Sequence, residues 1–186
     1  MVRKAKELCL KAVAMGAAVS LLPGCISLGA DVPDQLIALS PVVRAPVGDM
    51  AAGAPGEALV VLDPDADRRI DVTRVPVQVD AATIAYLKDA VWVERPPRQF
   101  RRLLAETIRA GSGRPVVEAA HSDLPGGAIL SGRLIDMGYD AQAQSVVVRF
   151  DAVLDSGAGG AGRARPFEAV IPRGAGKAAA RAPGLD

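Results

Sequence analysis

Two alternating segments in the second half of the chain constrain its fold more than any other feature. In residues 145–154, apolar side chains recur at every second position from Val146 to Ala152. Residues 128–139 alternate in the same way, and a short polar stretch, 140–144, separates the two segments. A period of two is typical of strands, and a short connection favours an antiparallel pair. The sequence therefore predicts a long β-hairpin, with a third strand at 165–172 after a glycine-rich loop.

An amphipathic helix is predicted before this hairpin. The apolar positions that share one face are Phe100, Leu103, Leu104 and Ile108. Charged side chains, mostly arginines, take the other side, as in a helix that packs one face on a core. Pro96 and Pro97 precede the pattern and Gly111 follows it. Since proline is tolerated in a first turn and glycine ends helices, we expect the helix to begin near Pro96 and end at Gly111.

The remaining ordered segments are short and strand-like. Strands are predicted at 36–39, 58–62, 75–79 and 115–119. The continuous apolar run at 58–62 is typical of a strand buried on both faces. Residues 83–93 are interpreted as two short extended pieces joined at Lys88 and Asp89. The order of elements predicts an α+β fold, a mostly antiparallel sheet with a central amphipathic helix packed on one face.

Composition excludes several classes of function. With 22 Lys and Arg against 21 Asp and Glu, the net charge is +1, so the basic stripe of a nucleic-acid-binding protein is not expected. Three Phe, two Tyr and one Trp are too few to form a stacking platform for single strands. Two Cys and one His cannot form a four-thiolate zinc site or a His-pair metal motif. No metal or cofactor is therefore expected.

The N-terminal region has the pattern of a secretory signal. Arg3, Lys4 and Lys6 are followed by an apolar stretch at 12–22. This stretch is shorter than the ~20 residues that span a bilayer, but it matches the apolar part of a signal peptide. Cys9 lies inside the segment that would be removed.

The end of this signal, Leu22-Pro-Gly-Cys25, is similar to the lipobox of bacterial lipoproteins. That similarity implies cleavage before Cys25 and acyl chains on its sulfur and on the new amino terminus. The residue after Cys25 is Ile26 rather than Asp, which in the enterobacterial sorting rule favours the outer membrane. The alternative is a short buried helix ended by Pro23 and Gly24, with Cys25 an inert thiol. The order and spacing of the features favour the lipoprotein.

The chain accordingly divides into four predicted parts. Residues 1–24 form the signal peptide, and residues 25–35 form the lipidated N-terminus and a tether. Residues 36–172 form the folded domain. Residues 173–186 are rich in Gly, Ala and Arg without an apolar stripe, and are predicted to be disordered or truncated.

Two groups of polar residues are candidate sites. Asp63, Asp65 and Asp67 have the alternate spacing of a calcium loop, but Arg68 occupies its glycine position, so a solvated turn balanced by Arg68 and Arg69 is favoured. His121 and Ser122 lie in a polar loop, where a solvent-exposed histidine is the favoured interpretation.

Aromatic and basic residues near the helix are the better candidates for contact with a ligand. A tryptophan between a strand and a helix, such as Trp92, is more often a core residue, although it can also line an apolar groove. The helix arginines form a solvated face or, alternatively, a contact for anionic lipid headgroups.

Taken together, these motifs resemble the ABC-type transport auxiliary lipoproteins that work with MCE-domain proteins, the PqiC-like group. The resemblance lies in the lipobox and in the residues at 36–41, 74–79, 84–93 and 100–104, together with the later hairpin. It covers most of the mature chain and contains no catalytic motif. The chain departs from the family after its last strand, where members continue into an apolar-patterned helix.

The resemblance implies a non-enzymatic accessory lipoprotein, anchored to the outer membrane on its periplasmic face. It implies an MCE-domain protein and an inner-membrane ABC permease and ATPase as partners in lipid trafficking, besides membrane lipid at Cys25. Whether the chain forms a homo-oligomer is left open. The candidate contacts for partner or lipid are Trp92, Tyr86, Arg101 and Arg102. The alternatives are a structural or assembly lipoprotein of the envelope and a hydrolase using Ser122 and His121.

Overall fold

The computed structural model describes residues 36–46, 48, 57–120, 127–157 and 162–174. All of these lie in one unit of the chain, Pro33–Asp186. The predicted signal peptide, Cys25, the tether, the loop with His121 and Ser122, and residues 175–186 of the tail lie outside the described residues.

Nine strands and one helix make up the described part of the chain. They are β1 Leu36–Ile37, β2 Leu59–Leu62, β3 Asp65–Ala66, β4 Arg74–Gln78, β5 Ile84–Trp92, α1 Pro96–Ser112, β6 Val116–Ala119, β7 Ala128–Asp140, β8 Ser145–Asp155 and β9 Arg163–Pro172. The predicted hairpin and the third strand are confirmed as β7, β8 and β9. Residues 84–92, however, form one continuous strand rather than two pieces. Its two ends both pair with β4, and an irregularity in the pairing between Arg74 and Pro76 absorbs the difference in length.

Strand β7 is the centre of the sheet. One of its edges pairs antiparallel with β8. Its other edge pairs in succession with β2, β3 and β4, and all three of these neighbours are parallel to it. Strands β1 and β5 extend the sheet beyond β4, and β6 extends it beyond β2.

The α+β prediction with one helix is thus confirmed, but the sheet is mixed rather than mostly antiparallel. The antiparallel pairs are β4 with β5, β7 with β8 and β8 with β9. The other pairs are parallel, and most of them join segments far apart in sequence. Alternation of side chains predicts a strand, but it does not indicate which distant strand becomes the neighbour.

Strand β9 is the edge of the sheet, and it is exposed along its whole length. The Arg173 N–H donates to the Gln144 carbonyl at 2.8 Å, so odd-numbered residues of β9 turn their backbone groups toward β8. Pro166 and Pro172 stand at the outward-facing positions, where the missing N–H removes no sheet hydrogen bond. The two prolines therefore make this edge a poor template for an additional strand.

Helix α1 packs on one face of the sheet, against β2 and β6 and over β8. The Phe100 ring meets Phe150 of β8 edge-on, with 5.0 Å between centroids. The predicted start at Pro96 is confirmed, but the helix continues past Gly111 and ends at Gly113, whose φ of 64° is left-handed. The described residues include no helix with the length and apolar character needed to cross a membrane.

The segment after β1 is hydrogen-bonded to one flank of this helix. The backbone N–H of Leu39 donates to Gln99 Oε1 at 3.0 Å, and that of Ala45 donates to Glu106 Oε1 at 2.9 Å. Residues 39–45, which we call the strap, therefore run beside α1 and are fixed to it at both ends.

Candidate functional site

Trp92 lies at the end of β5 and is a core residue. It is buried in one cluster with Phe100 and Phe150. Among the described residues its indole N–H has no hydrogen-bond acceptor. Trp92 therefore supports the beginning of the helix from below, and its ring presents little surface to an outside molecule.

Tyr86 lies on the same strand, nearer its start, and is half-buried. The Arg74 guanidinium lies over its ring, with 4.0 Å from Cζ to the ring centroid. The Tyr86 hydroxyl donates to the Arg69 carbonyl at 3.4 Å. A cation over an aromatic face stabilises by ~0.5–1 kcal/mol at an exposed site, so this pair forms a flat, charged surface element.

Arg101 and Arg102 are adjacent in the helix but have different surroundings. The Arg101 side chain is 14% exposed, and it contacts Asp63 at 2.8 Å and Glu118 at 3.3 Å. Asp63 follows β2 and Glu118 lies in β6, so Arg101 joins the helix to two parallel strands. The Arg102 side chain is 57% exposed and contacts Glu94 at 2.6 Å.

The structure thus places the four predicted residues in two roles. Trp92 and Arg101 hold the helix on the sheet, whereas Arg102 and Tyr86 have polar groups at the surface. No contact joins Tyr86 to the helix arginines in the described part of the molecule. Because exposed ion pairs contribute only ~0–1 kcal/mol, Arg102 can exchange Glu94 for an anionic group of a ligand at little cost.

The acidic turn at Asp63, Asp65 and Asp67 is stabilised differently from the prediction. Its partners are Arg101 at Asp63 and Arg133 at Asp67, whereas Arg69 binds Asp136. The ion pair with Asp67 raises the pKa of Arg133. The described residues hold no cluster of three or more His, Cys, Asp or Glu side chains arranged for a metal ion.

The sequence did not reveal an open polar cleft of about 330 Å³ between β4, β7 and β8. In it, Arg69 contacts Asp136 at 2.6 Å, and Arg149 contacts Asp136 at 2.9 Å and Glu168 at 2.6 Å. The hydrogen bonds that the Arg149 guanidinium donates to Glu168 and to Asp136 raise the pKa of Arg149. The only signal in the sequence was the place of Asp136 and Arg149 opposite the core face of the hairpin. The arginines and carboxylates of these ion pairs neutralise one another. The network of ion pairs therefore contributes to the stability of the sheet.

Comparison with solved structures shows the same fold in other proteins. Protein XCC0632 from Xanthomonas campestris, a member of the DUF330 family, is 19% identical, with a TM-score of 0.56 over 74% of this chain and 78% of that chain. A second crystal structure, of an uncharacterized protein, is 15% identical, with a TM-score of 0.55 over 64% of this chain and 75% of that one. At these identities the likeness concerns the fold alone.

No curated protein matches the chain. A family model does, and its match extends from residue 39, in the strap, to residue 184 in the C-terminal tail. The match includes the helix, the hairpin and every candidate residue within the described domain. On this evidence, the chain belongs to the family of ABC-type transport auxiliary lipoprotein components.

Proposed function

We propose that this protein is an outer-membrane lipoprotein on the periplasmic side, acting as the non-enzymatic accessory subunit of an MCE-type ABC transport system that moves lipid between membranes. The observation that carries the proposal is the family match over residues 39–184. The lipobox-like sequence at Leu22-Pro-Gly-Cys25 supplies the anchor that such a protein needs.

The anchor works through buried hydrocarbon. Each buried CH₂ of an acyl chain contributes ~0.8 kcal/mol, so several chains on Cys25 hold a protein stably where a single chain does not. Ile26 after the lipidated cysteine favours transfer to the outer membrane. The tether at 26–35 then connects the anchor to β1 and the strap.

The surface for the MCE-domain partner is proposed at Tyr86 and Arg102, with Trp92 and Arg101 as positioning residues. Arg102 is exposed and held by a weak ion pair, and Tyr86 forms a flat element with Arg74. Arg101 fixes the turn of the helix that carries Arg102. A rigid helix presenting one exchangeable cation suits recognition of an acidic patch on a partner.

Lipidation is tested by labelling cells with palmitate. We expect Cys25→Ala to abolish the label and Cys9→Ala, the matched control within the signal, to retain it. Fractionation of the membranes tests the location, since Ile26→Asp should shift the protein toward the inner membrane. Label that persists in Cys25→Ala would refute the anchor.

The transport role is tested by affinity capture from solubilised native membranes with mass spectrometry. We expect enrichment of an MCE-domain protein together with an ABC permease and ATPase. Arg102→Glu should weaken this capture, whereas Lys88→Glu, a charge reversal on exposed β5, should not. If none of the three partners is captured, the proposal is rejected.

His121→Ala tests the hydrolase alternative, which requires this histidine. Under the proposed function, cells with this variant are expected to keep the wild-type phenotype.

A further inference from the structure

The strap carries the two most exposed large apolar side chains in the described part of the chain. Val42 and Val43 form its bend and are 90% and 62% exposed. Leu36 and Ile37 of β1, just before the strap, are exposed as well, and so is Val93, whose N–H donates to the Ile37 carbonyl. Single exposed apolar residues are common, but a group of them in one region of the surface is typical of a site of contact.

Hydrogen bonds fix both ends of the strap, so its bend has a defined position. At one end, the Leu39 N–H donates to the side chain of Gln99, which is itself buried in the helix. At the other end, the Ala45 N–H donates to the carboxylate of Glu106. Pro41, directly before the bend, restricts the backbone further. The two valines are therefore presented by an ordered segment, which loses little conformational entropy when it binds.

Arginines outnumber carboxylates on this flank of the helix and in the strap. The arginines are Arg44, Arg98, Arg102 and Arg109, and the carboxylates are Glu94 and Glu106. Glu94 binds two of the arginines, at 3.4 and 2.6 Å. Glu106 binds Arg109, and the charge of Arg44 acts on it as well. Because four guanidinium groups surround two carboxylates, this surface has a net positive charge and attracts an anionic one.

The chain outside the described structure indicates which anionic surface lies within reach. The predicted site of lipidation is Cys25 and β1 begins at Leu36, so eleven peptide units join the anchor to the sheet. Fully extended, they span at most about 40 Å. The strap follows β1 directly and is thus among the first folded segments after the anchor. With Cys25 acylated, the strap is held close to a lipid bilayer.

We infer that the strap is a membrane-contact surface, in which Val42 and Val43 enter the interface of an anionic phospholipid bilayer while Arg44 and the neighbouring helix arginines contact the lipid phosphates. The inference rests on the proposed lipid anchor, which brings the strap to the bilayer. Apolar side chains beside cationic ones are typical of segments that lie in a membrane interface. The strap is a second attachment, and it fixes the orientation of a domain that the anchor alone leaves free to rotate.

A bilayer suits this surface better than a protein does. A side chain as exposed as Val42 projects from the surface, so the bend offers no groove to a helix or a strand of a partner. A second copy of the same surface would bring arginines against arginines, which is unfavourable. Both occupants remain outcomes that the experiment can detect.

The experiment places a fluorophore at the bend of the full-length protein, purified with its anchor and bound to vesicles. In the mature lipoprotein Cys9 is removed and Cys25 is blocked, so Val42→Cys supplies a single thiol for the fluorophore NBD. Phospholipids with a doxyl group in the acyl chain quench NBD that enters the bilayer. Val170→Cys is the matched control, since Val170 is an exposed valine of β9 on the sheet face opposite the helix.

The vesicles contain phosphatidylethanolamine and phosphatidylglycerol. We expect doxyl lipid to quench position 42 roughly threefold more strongly than position 170. Arg44→Glu should lower the quenching at position 42 by about half, as should replacement of the phosphatidylglycerol by phosphatidylcholine. Lys88→Glu, the charge reversal on β5, should leave it unchanged. Arg102 is kept because it belongs to the proposed partner surface, and urea unfolding of each variant shows that the domain remains folded.

Two results would overturn the inference. One is quenching at position 42 that is absent or no stronger than at position 170, as expected if a protein partner covers the strap. The other is a blue shift at position 42 without quenching by doxyl lipid, which a second copy covering the strap would produce.

Mass spectrometry of the intact protein tests the anchor separately, and labelled wild-type protein gives the background from native thiols. If Cys25 is acylated but position 42 is not quenched, the anchor stands and the membrane-contact surface fails. If Cys25 carries no acyl chain but position 42 is quenched above the background, the anchor fails and the surface stands.

Discussion

Phe150 and Phe167 are neighbours across the β8–β9 pair, on the same face of the same sheet, yet their surroundings are opposite. Phe150 is 6% exposed because Phe100 of the helix lies against it, whereas Phe167 is 50% exposed. A single helix covers the middle of the sheet and not its β9 end. Two phenylalanines on adjacent strands therefore have different roles. Phe150 stabilises the domain, whereas Phe167 is part of its surface.

The largest expected effect separates these two phenylalanines. Phe150→Ala should lower the free energy of unfolding by ~3–5 kcal/mol, because it leaves a cavity beneath the helix. Phe167→Ala should change it by less than ~1 kcal/mol. Urea unfolding of the purified protein measures both, and similar losses would show that β9 is covered after all.

A second test concerns the close packing beneath Phe150. A Cβ on Gly132 of β7 would lie 2.7 Å from Phe150 Cζ and would also overlap the Asp151 carbonyl. We expect Gly132→Ala to destabilise the protein by ~1–3 kcal/mol through overpacking.

Gly111 provides the matched control for this substitution, since nothing lies within 4 Å of its Cβ position. Because Gly111 is at an exposed position of the helix, Gly111→Ala should raise the free energy of unfolding by ~0.5–1 kcal/mol. The two alanines should therefore shift the unfolding midpoint in opposite directions. A neutral Gly132→Ala would mean that the covered half of the sheet is loosely packed.

The adjacent helix arginines give a smaller contrast of the same kind. Arg101→Met retains an apolar stem but removes both ion pairs, so we expect a loss of ~1–2 kcal/mol. Arg102→Met, in which an exposed pair is removed, should cost less than ~0.5 kcal/mol. Thermal unfolding at low and high salt measures both, and equal effects would contradict the assignment of Arg101 as the residue that joins helix and strands.

The smallest effect concerns the strap, residues 39–45, along the flank of the helix. The hydrogen bond from the Ala45 N–H, followed by the interaction with Arg109, lowers the pKa of Glu106 below its ordinary value of about 4.5. Because the pKa is lowered in the folded state, the Glu106 carboxylate stabilises the fold at pH values above its ordinary pKa. This stabilisation is lost as the pH falls through the folded-state pKa.

Glu106→Gln tests this linkage, because the amide oxygen can still accept from Ala45 but carries no charge. The variant should be slightly less stable than the wild type at pH 7, and the difference should shrink below about pH 4.5. Unfolding midpoints measured from pH 7 to pH 3 provide the comparison. A difference that grows as the pH falls would reverse the assigned sign.

Local features of the fold followed from the sequence, and long-range ones did not. The hairpin and the helix were predictable because each buries one face with a regular period. The continuation of the helix past Gly111 was not predictable from the sequence. There, the packing of Ile108 and of the preceding turn outweighs the ~1 kcal/mol that an isolated glycine costs. The parallel neighbours of β7 lie far away in sequence, where periodicity carries no information.

The same limit applies to the candidate site. The sequence indicates that Arg101 lies on the charged side of the helix, but its binding of Asp63 and Glu118 depends on the parallel pairing of β2 with β6. The exposure of Phe167 likewise depends on where the helix lies, and the sequence of β9 does not specify that position. Burial of Trp92 agrees with the general tendency of tryptophan to be largely buried.

The position of β7 also governs when the chain can fold. Before residues 128–140 are present, β2 can pair only with β6, and β4 only with β5 and, through it, β1. These two groups of strands have no direct pairing with each other in the described sheet, so β7 is the piece that joins them. Folding must therefore wait for distant contacts and is expected to be slow, with the N-terminal two-thirds of the chain still open to chaperones and proteases until β7 arrives.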